Sequence, residues 1–231
     1  MVLPAACLFD LDGLLLDTEP LHAQAWQRAA DHFGRELSGE ELMALRGRRR
    51  LDCADQVRGW IAASGGPALS AAELLAVRQP IAEALLVQAP PMAGAPELVE
   101  HCHAHGLPMA LATSSSREAV ELKARPHPWL QRITVRVHGD DPQLQRGKPA
   151  PDVFLLAAQR LGVPASACWA FEDSPAGVAA ARAAGCRVHV LPPDHLDGEA
   201  LARSYPGVSD ILTNLHQVIA ALRAEALSTD G

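Results

Sequence analysis

Short apolar runs that stop abruptly at polar residues alternate with segments of helical period over most of this chain. The first run, residues 2–9, ends at Asp10, and similar runs occupy 107–113, 133–137, 167–171 and 188–191. Short, largely apolar runs of this kind are expected of strands buried on both faces. Between them, Ala95, Leu98, Val99 and Cys102 follow the spacing of one helix face, with Pro96 near the first helical position. Phe154, Ala157, Ala158 and Leu161 repeat that spacing. An Ala-rich helix is expected to begin after Ser174-Pro175, a cap and first-turn pair, and to end at Gly185. Strand followed by helix, repeated, predicts an α/β fold: a Rossmann-like parallel sheet core covered by helices.

The rhythm breaks between residues 20 and 88. Helix-like segments at 21–33, 39–45, 51–63 and 71–87 follow one another there with no buried strand between them, the last carrying Pro80 as an expected kink. Ser64-Gly65-Gly66-Pro67 reads as a loop, and 88–94, with its two prolines and a glycine, as a linker. The pattern predicts an inserted α-helical cap domain: residues 1–17 and 90–231 form the α/β core and 18–89 the cap.

Composition narrows the function. Lys and Arg number 20 against 27 Asp and Glu, a formal net charge of −7, which argues against an electrostatic nucleic-acid partner. The five cysteines are odd in number and never form a C-x-x-C pair, so neither a disulfide framework nor a zinc ribbon is expected. No apolar run approaches the ~20 residues of a membrane-spanning helix. A cytoplasmic protein without a membrane partner is expected, its oligomeric state left open.

Ligands of doubly wound sheets bind beyond the carboxyl ends of the strands, so the residues at those ends are the candidate chemistry. They are Asp10-Leu11-Asp12-Gly13, Thr113-Ser114-Ser115 and Glu172-Asp173-Ser174, with Lys148-Pro149 in a loop between the last two. Carboxylates crowded in one cleft repel one another unless a cation neutralises them. A hard divalent ion such as Mg²⁺ does so and also binds phosphate oxygen. Thr113, backbone amides of the following turn and Lys148 suit the remaining phosphate oxygens. Lys148 stands out because Lys123 is the only other lysine.

In this order Asp10-x-Asp12-Gly13, Thr113, Lys148-Pro149 and Glu172-Asp173 resemble the four motifs of the haloacid dehalogenase-like (HAD) phosphohydrolases. The resemblance covers nearly the whole chain. It implies Asp10 as nucleophile, Asp12 as general acid/base, and Thr113, Ser114 and Lys148 as phosphate binders. It implies Mg²⁺ held by Asp10, the backbone carbonyl of Asp12, Glu172 and Asp173. Residues 12–19 and the helical insert behind them are similar to the subgroup of β-phosphoglucomutase and sugar-phosphate phosphatases. Residues 110–115 and the Gly139-Asp140-Asp141-Pro142 insertion before Lys148 resemble the pseudouridine-5′-phosphatase-like branch.

The resemblance therefore implies a Mg²⁺-dependent phosphatase of a small phosphomonoester (sugar, polyol or nucleoside phosphate), acting through an aspartyl-phosphate. A phosphomutase using the same chemistry, and a non-catalytic binding protein on the same fold, stand as alternatives. In the cap, His22 and the arginines of the 46–50 stretch, Arg49 and Arg50 above all, are the candidate substrate contacts. Asp17 and Thr18 are expected at the hinge.

Overall fold

A computed structural model of the chain describes residues 3–46, 48–193, 196, 198–208 and 210–229. Val2, from the first expected strand, and Gly47, from the arginine stretch, lie outside the described residues. In chain order the elements are β1 (Ala6–Phe9), α1 (Glu19–His32), α2 (Gly39–Ala44), α3 (Arg50–Ala63), α4 (Ala71–Leu86), α5 (Ala95–Ala104), β2 (Met109–Ala112) and α6 (Arg117–Ala124). There follow β3 (Val135–Val137), α7 (Asp152–Leu161), β4 (Cys168–Glu172), α8 (Pro175–Ala183), β5 (Arg187–Val190), α9 (Gly198–Ser204), β6 (Asp210–Ile211) and α10 (His216–Thr229).

The strands form one parallel sheet in the order β3-β2-β1-β4-β5-β6. All five expected strands are present at three to five residues, the first three trimmed and the last two shifted by one position. The sixth, β6, was not anticipated, because two residues at a sheet edge carry no periodic signal. Alternation within strands divides the core between the two sheet faces. Cys7, Phe9, Leu111, Trp169 and Phe171 pack under α5 and α10, whereas Ala6, Leu8, Ala110, Ala112 and Ala170 pack under α7 and α8. Phe9 and Phe171 stack across β1 and β4 at 5.0 Å between ring centroids, and each buried phenyl contributes roughly 1.5–3 kcal/mol.

Helices α1–α4 form the inserted cap, with an apolar core of its own made by Trp26, Ala29, Leu37, Leu45, Cys53, Val57, Ile61 and Leu74. Ser38 and Ser70 start α2 and α4 as capping boxes with Glu41 and Glu73. Pro80 lies inside α4, which continues past it to Leu86. The two crossings between cap and core run side by side: Asp17 N–H donates to the Pro90 carbonyl at 2.9 Å and Met92 N–H to the Leu15 carbonyl at 3.0 Å. β1 at the centre, with β2 on one side and β4 on the other, is the switch point of the sheet, where the strand order reverses.

Candidate active site

A cleft of about 1050 Å³ opens between the carboxyl edge of the sheet and the cap. Asp10, Asp12, Thr113 and Ser114 line it from the core; His22, Arg46, Arg49, Arg50 and Arg78 line it from the cap. Lys148, Glu172 and Asp173 lie buried and are joined to Asp10 in one cluster. The residues named from the strand ends are thus brought to one place by parallel strands whose carboxyl ends share an edge.

Asp10 follows β1 directly. Lys148 Nζ donates to Asp10 Oδ1 at 2.5 Å and also to Glu172 Oε1. Burial, together with the nearby charges of Glu172 and Asp12, pushes the Asp10 carboxyl up to about 7 although Lys148 opposes the shift. Burial disfavours the Lys148 ammonium, but Asp10 and Glu172 outweigh it and raise its pKa. Glu172 Oε2 accepts from the Ser174 hydroxyl at 3.1 Å. A Cβ at Gly177 would fall 1.9 Å from Glu172 Oε1, so the close approach of α8 requires glycine there.

Asp10, Glu172 and Asp173 each offer an oxygen within 4.8 Å of the others. Asp173 Oδ1 is buried without a hydrogen-bond partner, while Oδ2 accepts from Arg46 Nη2 at 2.7 Å. Burial and repulsion by Glu19 raise the Asp173 pKa well above the ordinary value despite Arg46. A trio of buried carboxylates with one orphaned oxygen fits a divalent cation: hard oxygen donors, excess negative charge, and no other cation among the described residues on Asp173 Oδ1.

Asp12 is held by four side-chain donors. Thr18 Oγ1 reaches Oδ1 at 2.7 Å, Ser115 Oγ reaches Oδ2 at 2.7 Å, and Lys123 Nζ reaches Oδ1 and Oδ2 at 2.5 and 2.6 Å. His22 Nε2 lies 3.3 Å from Oδ1, and its Nδ1 lies 2.7 Å from Arg78 Nη2. A guanidinium only donates, so Nδ1 accepts and Nε2 carries the proton aimed at Asp12. Burial opposes ionisation of Asp12, but Lys123 and His22 outweigh it and hold the carboxyl well below the usual range. Burial in turn lowers the His22 pKa, against the pull of Asp12.

Thr113 is buried at the end of β2, its hydroxyl accepting from Ser115 N–H at 3.0 Å. Gly139 N–H donates to the Ser115 carbonyl at 2.8 Å, tying the loop after β3 to the loop after β2. In the cap, Arg49 pairs with Asp52 at 3.1 Å and lies against Gly147, and Arg50 donates to Gln79 at 3.0 Å. Both line the cleft without touching a core carboxylate through a described contact.

Of the arginine stretch named from sequence, Arg46 rather than Arg49 or Arg50 pairs with a core carboxylate, Asp173, and with Glu19 at 3.2 Å. Other residues of the site were not singled out from sequence. Arg78 lies over the Trp26 ring at 4.6 Å and beside His22. Tyr205 donates to the Asp173 carbonyl. Lys123 did leave a signal: it is one of two lysines in an arginine-rich chain and sits three residues after Val120, which is buried on the same helix face.

Carboxylates, hydroxyls and a buried lysine gathered at the switch point of a parallel sheet, beneath a helical insert, define a doubly wound α/β enzyme with a capped site. The description of the haloacid dehalogenase-like hydrolases matches residues 4–185, and the chain belongs to that family. It is 39% identical over 197 residues to a Drosophila melanogaster protein described as "Probable pseudouridine-5'-phosphatase", covering 84% of each chain. It is 34% identical over 195 residues to (DL)-glycerol-3-phosphatase 2 of Arabidopsis thaliana, covering 82% of this chain and 80% of that one. The crystal structure of CbbY from Rhodobacter sphaeroides in complex with phosphate superposes with a TM-score of 0.75 at 25% identity, over 93% of this chain and 96% of that one. The resemblance to the pseudouridine-5′-phosphatase-like branch agrees with the first of these.

Proposed function

We propose that this chain is a Mg²⁺-dependent phosphatase of a small phosphomonoester, with residues 1–17 and 90–231 as catalytic core and 18–89 as the cap that reads the rest of the substrate. The observation that carries the reading is the cluster of Asp10, Lys148, Glu172 and Asp173 around one carboxylate at the base of the cleft. Its support from similarity is that two of the relatives described above are named as phosphatases.

In this reading Asp10 attacks phosphorus with a carboxylate oxygen, forming an aspartyl-phosphate as the ester P–O bond breaks. Asp12, ionised in the free protein, takes a proton from the incoming phosphomonoester monoanion and relays it to the leaving oxygen, and later takes one from the water that attacks the phosphoaspartate, releasing inorganic phosphate and free Asp10. Thr113, Ser114 and Lys148 bind phosphoryl oxygens. Asp10, the Asp12 carbonyl, Glu172 and Asp173 would hold the cation, which would supply charge neutralisation and polarisation of the phosphoryl group. His22, Arg49 and Arg50 face the part of the substrate beyond phosphorus.

Phosphate release from pseudouridine 5′-phosphate, glycerol 3-phosphate and p-nitrophenyl phosphate, with Mg²⁺ and then with EDTA, tests the proposal. Release that stops with EDTA is expected. Conversion of β-glucose 1-phosphate to its isomer, with a bisphosphate primer and without free phosphate, would instead identify a mutase. No turnover of any ester would leave a binding protein.

A further inference from the structure

We propose that Lys123 is a positioning residue that aims the Asp12 carboxyl at the leaving-group oxygen, an inference that rests on the phosphatase reading above. Lys123 is fully buried in α6. A buried ammonium is costly unless it is paired, and an apolar side chain would serve the packing beside Val120 better. Its Nζ spans both Asp12 oxygens, at 2.5 and 2.6 Å, and donates to Ser115 Oγ at 2.8 Å.

Asp12 lies past the end of β1, in an isolated bridge to Leu16 rather than in a strand. Thr18 and His22 both contact Oδ1 and come from the start of the cap, while Ser115 contacts Oδ2 alone. Lys123 alone among these donors touches both oxygens, so it fixes the rotation of the carboxyl plane. It does so from a helix whose entry loop, residues 113–116, lines the same cleft. Thr18 and His22 thus hold Asp12 from the cap side, whereas Lys123 and Ser115 hold it from the core side.

Positioning of a proton donor matters in proportion to how badly the leaving group needs the proton. A p-nitrophenolate leaves without one; an alkoxide does not. The test compares kcat/KM for p-nitrophenyl phosphate with that for glycerol 3-phosphate in wild type, Lys123→Met, Lys123→Arg and Ser115→Ala, with folding checked by circular dichroism. Expected is a loss of about a hundredfold on the alkyl ester in Lys123→Met, against a few-fold on the aryl ester, with partial recovery in Lys123→Arg. Ser115→Ala, a small truncation, should show the same skew more weakly and stands in if Lys123→Met does not fold. Equal losses on both esters in folded variants would overturn the inference and leave the phosphatase reading intact. A wild type inactive on both esters would overturn the phosphatase reading and this inference with it.

Discussion

Lys148 binds Asp10 and Glu172 at once from a position with only 1% of its side chain exposed. One ammonium thus stands against two buried carboxylates, with Asp173 as a third acid within ligand distance of both. Removing one partner of a buried ion pair leaves the others desolvated and unpaired, at a cost of roughly 3–5 kcal/mol. Lys148→Met should therefore lower the melting temperature of the metal-free protein markedly. Mg²⁺ should restore part of that loss, more than it stabilises wild type; melting curves with EDTA and with Mg²⁺ check both.

Asp10→Asn keeps the size and most hydrogen bonding of the side chain but removes its nucleophilic oxygen. Turnover should fall by at least about a thousandfold, as when a nucleophile acting in concert with other groups is lost. Lys148 retains Glu172 as its partner, so the far-ultraviolet spectrum should be unchanged. Near-native hydrolysis of p-nitrophenyl phosphate by this variant would refute the assigned nucleophile.

The Asp10 carboxyl is raised from 3.8 to about 7, first by burial and then by Glu172 and Asp12. For an acid raised on folding, the contribution to metal-free stability is present below pH 3.8 and lost as pH rises through about 7. Cation binding needs the carboxylate, so the sign reverses when metal is added: below pH 7 a proton must leave first. Mg²⁺ affinity should fall by up to about tenfold per pH unit between pH 8 and 6 for one proton released. Titration calorimetry in buffers of different ionisation enthalpy measures that proton directly, and an affinity independent of pH over this range would contradict the prediction.

Gly13 adopts φ +87°, and a Cβ there would lie 2.3 Å from Asp173 Oδ2. Gly13→Ala should cost about 1–3 kcal/mol from the left-handed backbone alone and displace Asp173 as well. Gly177→Ala has ordinary helical backbone but drives a methyl group into the Glu172 carboxyl. Both variants should bind Mg²⁺ more weakly than wild type; Gly34→Ala, where φ is +79° but nothing lies within 4 Å of the added Cβ, should lose stability without losing metal affinity.

Most strands were legible because a sheet covered on both faces needs short, largely apolar runs, and the cap because its helical period runs from α1 to α4 without a strand. Motif order placed Asp10, Asp12, Thr113, Lys148 and Glu172-Asp173 at strand ends or their loops, and a parallel sheet puts such ends on one edge. The edge strand β6 escaped because a two-residue strand has no period to read. Local sequence thus determined which faces are buried and which residues sit at the mouth of the sheet. Only the tertiary structure decided which charge meets which: Lys123 reaches Asp12 across 111 positions, and Arg46 reaches Asp173 across 127. Burial pattern is a property of each segment, repeated every two or 3.6 residues. The pairing of two charges depends on how distant segments dock, and a residue's own neighbours in sequence carry no trace of it.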